Sequence, residues 1–491
     1  MDTIVVHRGS TAARVKLPEF YPFSDHIFQT LYRFCADYVF NNRLKKSELN
    51  HRYWTFNTST RILTMPIEVT GFVVDRLMSA GALVADVQDP PNTARDLTIT
   101  MKDSFVPRDD QVPIIDYIAN PSETRKGISA ATGFGKTVSA IAGMVKYGKV
   151  GMIVVSGLVE QWYDSIIKFT TTTNQCHIVR GFDSVAQMFD EPNVKPEIFV
   201  FSLETLRLWC KHEDNYRYLP TYEQFLKDYG VGTKIMDEVH LNFYADTMID
   251  LQSNIANNIY MTATFANADK STLRIFNLIY PVHMRKGDDI GDKYINVYAY
   301  YYYGLVPENK TIRSQKYNHF RYEMELLKSK RAYDIWYRTL VRLIDAHYIN
   351  RKDEGERCVI FMATKEMILK VVKELEKQYP RLKVDYYIYG KSTDVFEEAD
   401  IILTTLKGCG CGRDVPMLRT VINTISFKAV TTTKQCRGRL RKLKSGNTPE
   451  YIELIDMRLD VQCRHAEERK LLHLPCVKMY RDSVLANETN R

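Results

Sequence analysis

The stretch Ala131-Thr132-Gly133-Phe134-Gly135-Lys136-Thr137 restricts this chain more than any other. Its two glycines let backbone N–H groups converge on anionic oxygens, and a helix opening near Lys136 adds its positive end. Further on, the chain reads Ile235-Met236-Asp237-Glu238-Val239-His240, an apolar run that ends in paired carboxylates. By itself the first stretch would suit an ordinary strand–helix turn, since Ala131 stands where a G-x-x-x-x-G-K-T loop would open with glycine. The second alone would suit a solvated loop end. Their order, separation and flanks together specify a place for the phosphates and Mg²⁺ of a nucleoside triphosphate. Lys136 is expected on the β- and γ-phosphates, Thr137 and Asp237 on the metal, and Glu238 as the general base. Val138 to Val145 reads as a helix, and Thr233-Lys234-Ile235-Met236 as a short strand that carries the carboxylates at its end.

A chain of 491 residues is too long for one ordinary compact domain. Its 45% hydrophobic content supports full cores, and 12% aromatic content argues against disorder. A net charge of +8 permits a polyanionic partner without establishing one. The nine cysteines are scattered, and only Cys409 and Cys411 lie close together. With no companion ligands at zinc spacing, reduced intracellular thiols are the expectation. The first residues lack the basic-then-apolar order of a signal peptide, and no run approaches a membrane span.

Residues 1–98 read as a separate small α+β accessory domain, with a helix over 69–81, a strand over 83–87 and a proline-rich linker at 89–93. Basic and aromatic residues interleave over 43–61, which suits either a DNA grip or a solvated edge with inward-facing rings. From 99 to 280 the rhythm is that of a parallel α/β domain, with buried-strand runs at 152–155, 198–201 and 258–261. Functional loops in such a domain follow the carboxyl ends of strands, where Lys136, Ser156, Ser202, Asp237 and Thr262 fall. A second α/β rhythm follows, with strands expected at 358–362, 382–389, 401–405, 421–424 and 451–455. The tract 281–331 between them holds Tyr294, Tyr298, Tyr300, Tyr301, Tyr302 and Tyr303. Its segment 310–331 carries seven Lys or Arg residues. A nucleic-acid groove and a linker helix packing its aromatics both fit this tract.

As an ordered set, the motifs over roughly 100–470 resemble the superfamily-two helicases and translocases, with Asp237-Glu238-Val239-His240 as the DExH box. The segment Val155-Ser156-Gly157-Leu158-Val159-Glu160-Gln161-Trp162 is similar to that of phage branch-migration and recombination-repair helicases. The resemblance implies two tandem RecA-like motor domains, 99–280 and 281–456, after the accessory domain, with a helical extension and tail over 457–491. It implies ATP and Mg²⁺, with Gln111 reading adenine and Thr132, Gly133 and Gly135 in the nucleotide cradle. Ser156, Ser202, Thr205, Thr405 and Gly408 would contact nucleic acid, and His240, Thr262 and Thr264 would couple that track to hydrolysis. Asp414 would organise the interdomain interface at the nucleotide. In Gln435-Cys436-Arg437-Gly438-Arg439-Leu440-Arg441-Lys442, Gln435 and Arg439 would join catalysis. The family's second arginine falls on Lys442, with Arg441 beside it, so either can fill that role.

The implied activity is a DNA-stimulated ATPase that remodels branched DNA, by fork regression or Holliday-junction branch migration. Forked or four-way duplex, replication or recombination proteins, action as a monomer and a cytoplasmic setting (a host's, for a virus) go with it. A duplex translocase, a restriction-type motor subunit and an RNA helicase share the same motifs. A non-catalytic binding module is disfavoured by the joint presence of Lys136, Asp237, Glu238 and Arg439.

Overall fold

The computed structural model describes residues 3–18, 24–41, 46–130, 134–157, 159–190, 195–211, 219–262, 265, 270–287, 293–313, 316–388, 392, 394–406, 415–428, 430–443, 445–474 and 477–485. The chain divides into two compact units, one holding Met1–Ala130 and Phe134–Ile290, the other Gly291–Arg491.

The first unit opens with β1 (Ile4–Arg8), β2 (Ala12–Lys16), β3 (Ala36–Asn41), β4 (Lys46–Arg52), β5 (Thr55–Asn57), β6 (Ile62–Pro66) and β7 (Val84–Gln88). Five of them form a sheet in the order β5-β6-β2-β1-β7, and β3 and β4 pair as a separate antiparallel ribbon. The helix expected over 69–81 runs Thr70–Ser79, and Gly81 follows with φ 83°, a conformation glycine adopts without steric cost.

The same unit continues with β8 (Arg125–Ser129), β9 (Gly151–Val155), β10 (Cys176–Val179), β11 (Ile198–Ser202), β12 (Thr233–Met236), β13 (Asn257–Thr262) and β14 (Arg285–Lys286). They make an all-parallel sheet ordered β10-β11-β9-β12-β13-β8-β14. Alternate residues serve opposite faces: Met152, Val154, Phe199 and Phe201 enter one core, Ile153, Val155, Ile198 and Val200 the other. Both faces are covered, which is why these strands read as unbroken apolar runs.

The accessory region is less separate than its sequence implies. Its buried Val6, Leu31, Tyr53 and Trp54 share one continuous core with Phe199 of β11 and with Phe243, Phe276 and Tyr280 of the helical layer on that sheet. Tyr53 packs on Phe243 at 4.9 Å between ring centres, and His51 stacks on Tyr244 at 4.2 Å. Polar contacts fasten the rim. Thr11 Oγ1 lies 2.8 Å from the carbonyls of both Asp250 and Ser253, at and just past the end of helix Phe243–Asp250. Thr272 donates to Asp37 at 3.0 Å, Arg14 pairs with Glu223 at 3.0 Å, and Arg125 pairs with Glu68.

The second unit contains β15 (Asn296–Tyr302), β16 (Ile312–Arg313), β17 (Lys316–Tyr317), β18 (Arg357–Phe361), β19 (Val384–Tyr387), β20 (Ile401–Thr404), β21 (Leu418–Asn423), β22 (Glu450–Asp456) and β23 (Met479–Val484). Its main sheet is again all parallel, ordered β19-β20-β18-β21-β22-β15-β23. Two features differ from the sequence reading. The tyrosine tract holds an interior strand: Tyr298 and Tyr302 enter one core while Val297 enters the core on the opposite face. Tyrosine suits a strand whose hydroxyls find partners, as Tyr300 does on His347 at 2.7 Å. The 457–491 region is likewise more than a helical extension, since β23 pairs with β15 as an edge strand. The fold is thus two tandem RecA-like α/β domains with a small N-terminal α+β domain. Among the described residues, no helix is long and apolar enough to cross a membrane.

Because the accessory region and the first parallel sheet share a core, removing residues 1–98 should leave Phe243 and its neighbours without cover and give an insoluble or non-cooperatively melting product. Expression of the truncated chain and its thermal circular-dichroism melt test this. A soluble truncation with a sharp melt would show the two to be independent.

Candidate nucleotide site

The carboxyl edge of the first sheet gathers the expected groups. Helix Lys136–Tyr147 starts directly after Gly135, whose φ is 88°. A Cβ there would also lie 2.5 Å from Gln111 Nε2, so conformation and space both demand glycine. Gln111 is buried and donates from Nε2 to the Phe134 carbonyl at 3.1 Å, while its Oε1 accepts from Arg108 N at 3.1 Å. Arg108 donates to that same carbonyl and lies over the Phe134 ring. The upstream glutamine therefore braces the loop in this conformation. Thr132 and Gly133 lie outside the described residues.

Lys136 Nζ is buried without a hydrogen-bond partner among the described residues, 3.9 Å from Glu238 Oε1. An ammonium held at a helix N-terminus with no acceptor of its own suits an incoming phosphate. Thr137 follows it in the first turn, half-buried. Asp237 closes β12: its N donates to Val154 O at 3.0 Å, its Oδ2 accepts from Trp162 Nε1 at 3.0 Å, and its Oδ1 accepts from Glu238 N at 3.0 Å. Burial raises the Asp237 pKa, Glu238 raises it further, and Lys136 opposes both. A cation at this carboxylate would restore its charge. Among the described residues, no three His, Cys, Asp or Glu groups could hold a metal ion on their own. Thr137 and Asp237 nonetheless fit Mg²⁺, an ion commonly held by one or two protein groups together with phosphate oxygens.

Glu238 has φ 54°, a left-handed conformation that costs about 1 kcal/mol or more in a residue with a Cβ. The turn points its carboxylate back across the site: Oε1 faces Lys136, and Oε2 lies 3.3 Å from His240 Nδ1. His240 Nδ1 also lies 2.8 Å from Thr262 Oγ1 at the end of β13. Burial lowers the His240 pKa, Glu238 partly restores it and Lys136 lowers it again, so the ring is neutral near pH 7. A contact chain thus runs Lys136, Glu238, His240, Thr262. Thr264 lies outside the described residues.

The expected nucleic-acid contacts divide. Ser156 is exposed after β9, and Ser202 is half-buried at the end of β11. Thr205 faces inward instead: it is buried, and its hydroxyl accepts from Gly181 N at 2.8 Å, so it pins a turn and is not placed to hold a phosphate. In the second unit, Thr405 is half-buried directly after β20, while Gly408 and Asp414 lie outside the described residues. Gln435 sits on helix Val430–Arg437. Arg437 is buried and donates from Nη1 to Leu472 O and His473 Nδ1, both at 3.1 Å. Arg439 is buried just beyond that helix. Arg441 donates to the carbonyls of Gly438 and Leu440, whereas Lys442 is exposed with its Nζ over the Tyr294 ring.

Two contributors were not legible as site residues in the sequence. Trp162 orients Asp237, and Arg108 braces the loop with Gln111. Both lie in segments singled out for other residues, and nothing local shows that an indole will reach a carboxylate 75 positions away.

No protein-family model matches the chain, and no curated protein matches it. Solved structures do. Saccharomyces cerevisiae Dbp5, bound to RNA and ADP BeF3, aligns at 15% identity over 77% of this chain and 90% of its own, with a TM-score of 0.50. Mss116p, bound to ssRNA and AMP-PNP, aligns at 12% identity over 77% of this chain and 75% of its own, TM-score 0.50. A fragment of the HsdR subunit of a type I restriction enzyme from Vibrio vulnificus YJ016 aligns at 15% identity over 96% of this chain and 84% of its own, TM-score 0.50. The chain thus shares its tandem parallel α/β fold with these proteins.

Gly135→Ala should weaken binding of a fluorescent ATP analogue at least tenfold, since the added Cβ displaces Gln111 and opposes the φ of 88°. Wild-type affinity in that variant would show that the loop is not the cradle.

The Arg437 segment rests on a buried ion pair. Arg469 Nε donates to Glu453 Oε1 at 2.6 Å, and His473 Nε2 lies 3.4 Å from the same oxygen. Burial alone would raise the Glu453 pKa, but Arg469 and His473 outweigh it and hold the group at about 2, against 4.5 in the open chain. The depressed value means its stabilisation is complete above pH about 4.5 and fades as pH falls towards about 2. Glu453→Gln should therefore cost about 3–5 kcal/mol at pH 7 by stranding Arg469. In melts across pH the gap to wild type should narrow below pH about 4.5; a gap that is the same at every pH would contradict this assignment.

Proposed function

We propose that this chain is a nucleic-acid-stimulated ATPase of the helicase type. The observation that carries the reading is the buried Lys136 ammonium, without a hydrogen-bond partner among the described residues, set beside Asp237 and Glu238 at the carboxyl edge of a parallel sheet. Lys136 and the Gly135 turn hold the phosphates, and Thr137 and Asp237 hold Mg²⁺, which supplies charge neutralisation when bound. Trp162 keeps the Asp237 carboxylate turned inward. Glu238 takes a proton from the attacking water as its oxygen bonds to the γ-phosphorus and the bond from that phosphorus to the β,γ-bridging oxygen breaks, releasing ADP and phosphate, and His240 carries the state of that carboxylate towards Thr262. Arg439 is assigned to the charge on the transferring phosphoryl group, on the motif resemblance alone.

DNA, and branched DNA in particular, remains our reading of the track, supported by the similarity of the Val155–Trp162 motif to that of branch-migration helicases. Ser156, Ser202 and Thr405 are the proposed phosphate contacts, with salt-dependent and nearly sequence-independent affinity as the consequence. A second reading has specific support: two of the structures this chain resembles in fold are described as bound to RNA or ssRNA.

Glu238→Gln should leave nucleotide affinity within a few-fold of wild type and cut stimulated turnover by about 10²–10⁴. The measurement is ATP hydrolysis across single-stranded, linear, forked and four-way DNA with matched RNAs. Equal turnover in the variant would remove Glu238 as base, and stronger stimulation by RNA than by any DNA would replace the DNA reading with the RNA one.

A further inference from the structure

Residues 304–313 and 316–328 lie across the carboxyl ends of the second unit's strands, and a buried polar seam fixes them there. At the end of β22, Asp456 Oδ1 accepts from Gly304 N at 3.0 Å, and a Cβ on Gly304 would collide with that carboxylate. Tyr322 donates to Asp456 Oδ2 at 3.2 Å. After β21, Ser426 N donates to His319 Nδ1 at 3.2 Å. After β18, Glu323 accepts from the N–H groups of Ala363 and Thr364 and from the Thr364 hydroxyl, each at 2.7 Å. The inner face of helix His319–Lys328 is thereby spent on holding three strand ends.

The outer face has a different character. The short helical turn Glu308–Thr311, the β16–β17 ribbon after it and the start of that helix expose Lys310, Arg313, Lys316 and Arg321. Phe320 is 59% exposed and Met324 39%, one helical turn apart. Arg321 Nη1 donates to Ile312 O at 2.7 Å, which ties ribbon to helix. The acids on this face are Glu308 and Glu325, and Glu325 is paired with Lys328 at 2.7 Å.

We propose that this face binds single-stranded nucleic acid, with the cations on successive phosphates and Phe320 as a platform for one base. The inference rests on the nucleic-acid motor reading and gives it a contact surface outside the motor motifs. Three observations select the ligand. Cations outnumber acids on the face, so it suits a polyanion. A large ring stands among them on a backing that is hydrogen-bonded at three strand ends, as stacking requires. The segment covers the edge where parallel α/β sheets take their ligands, so its outer side is the surface offered there.

The test uses the full chain and fluorescent oligothymidylate and oligouridylate of about 20 nucleotides, read by anisotropy across a salt series. Replacing Lys310, Arg313 and Lys316 together by alanine should lower the slope of log affinity against log salt by about 2. Phe320→Ala should weaken binding about tenfold with the slope unchanged, and Phe320→Trp should restore it. Hydrolysis without nucleic acid should match wild type in all three. Affinities within twofold of wild type in both the triple variant and Phe320→Ala overturn the proposal. So does a triple-variant loss matched on phosphatidylserine vesicles with no Phe320 effect, which would mark a general polyanion or membrane surface. If wild-type hydrolysis is not stimulated by any nucleic acid yet these variants lose oligonucleotide binding, the motor reading fails and the surface stands.

Discussion

A buried ammonium group with no acceptor among the described residues is the constraint around which the first sheet is arranged. Leaving Lys136 Nζ desolvated and without a hydrogen-bond partner among the described residues is unfavourable by more than the few kcal/mol typical of a neutral group. The surroundings tolerate it because Glu238 and Asp237 supply opposing charge without a direct hydrogen bond. That arrangement carries its own strain in the left-handed Glu238 backbone and in the raised Asp237 pKa. Three unfavourable features meet at one strand end, and the proposed polyphosphate with its metal would relieve them together.

Elsewhere in each unit, buried polar groups are spent on connections. Thr11, Asp37 and Glu68 of the accessory region each reach into the first α/β sheet's own layer. In the second unit, His319, Glu323 and Asp456 do the equivalent work for a segment that would otherwise be a loop. Each seam leaves an outer surface free for other uses, because one face of the connecting element is committed to holding position and the other is not.

Much of this was legible in the sequence, for identifiable reasons. Strands buried on both faces announce themselves as runs such as Ile198-Phe199-Val200-Phe201, and β12 was bounded correctly at Thr233–Met236. The Asn296–Tyr302 strand was hidden because tyrosine also suits a linker, and only its hydroxyl partners, such as His347, distinguish the two. Thr205 and Ser202 look alike as hydroxyl residues after a strand, yet one faces Gly181 and is buried. The accessory region was read as separate because prolines at 90 and 91 mark a linker, while the shared core depends on packing between residues far apart in the chain.

The most direct test of the central claim is thermal melting of Lys136→Met with and without AMP-PNP and Mg²⁺. Methionine keeps the length and apolar stem of the side chain while removing the buried charge. The account predicts a nucleotide-induced rise in melting temperature for wild type that disappears in the variant, while the variant alone melts no lower than wild type. A variant that keeps the nucleotide-induced rise would show that Lys136 does not hold the phosphates.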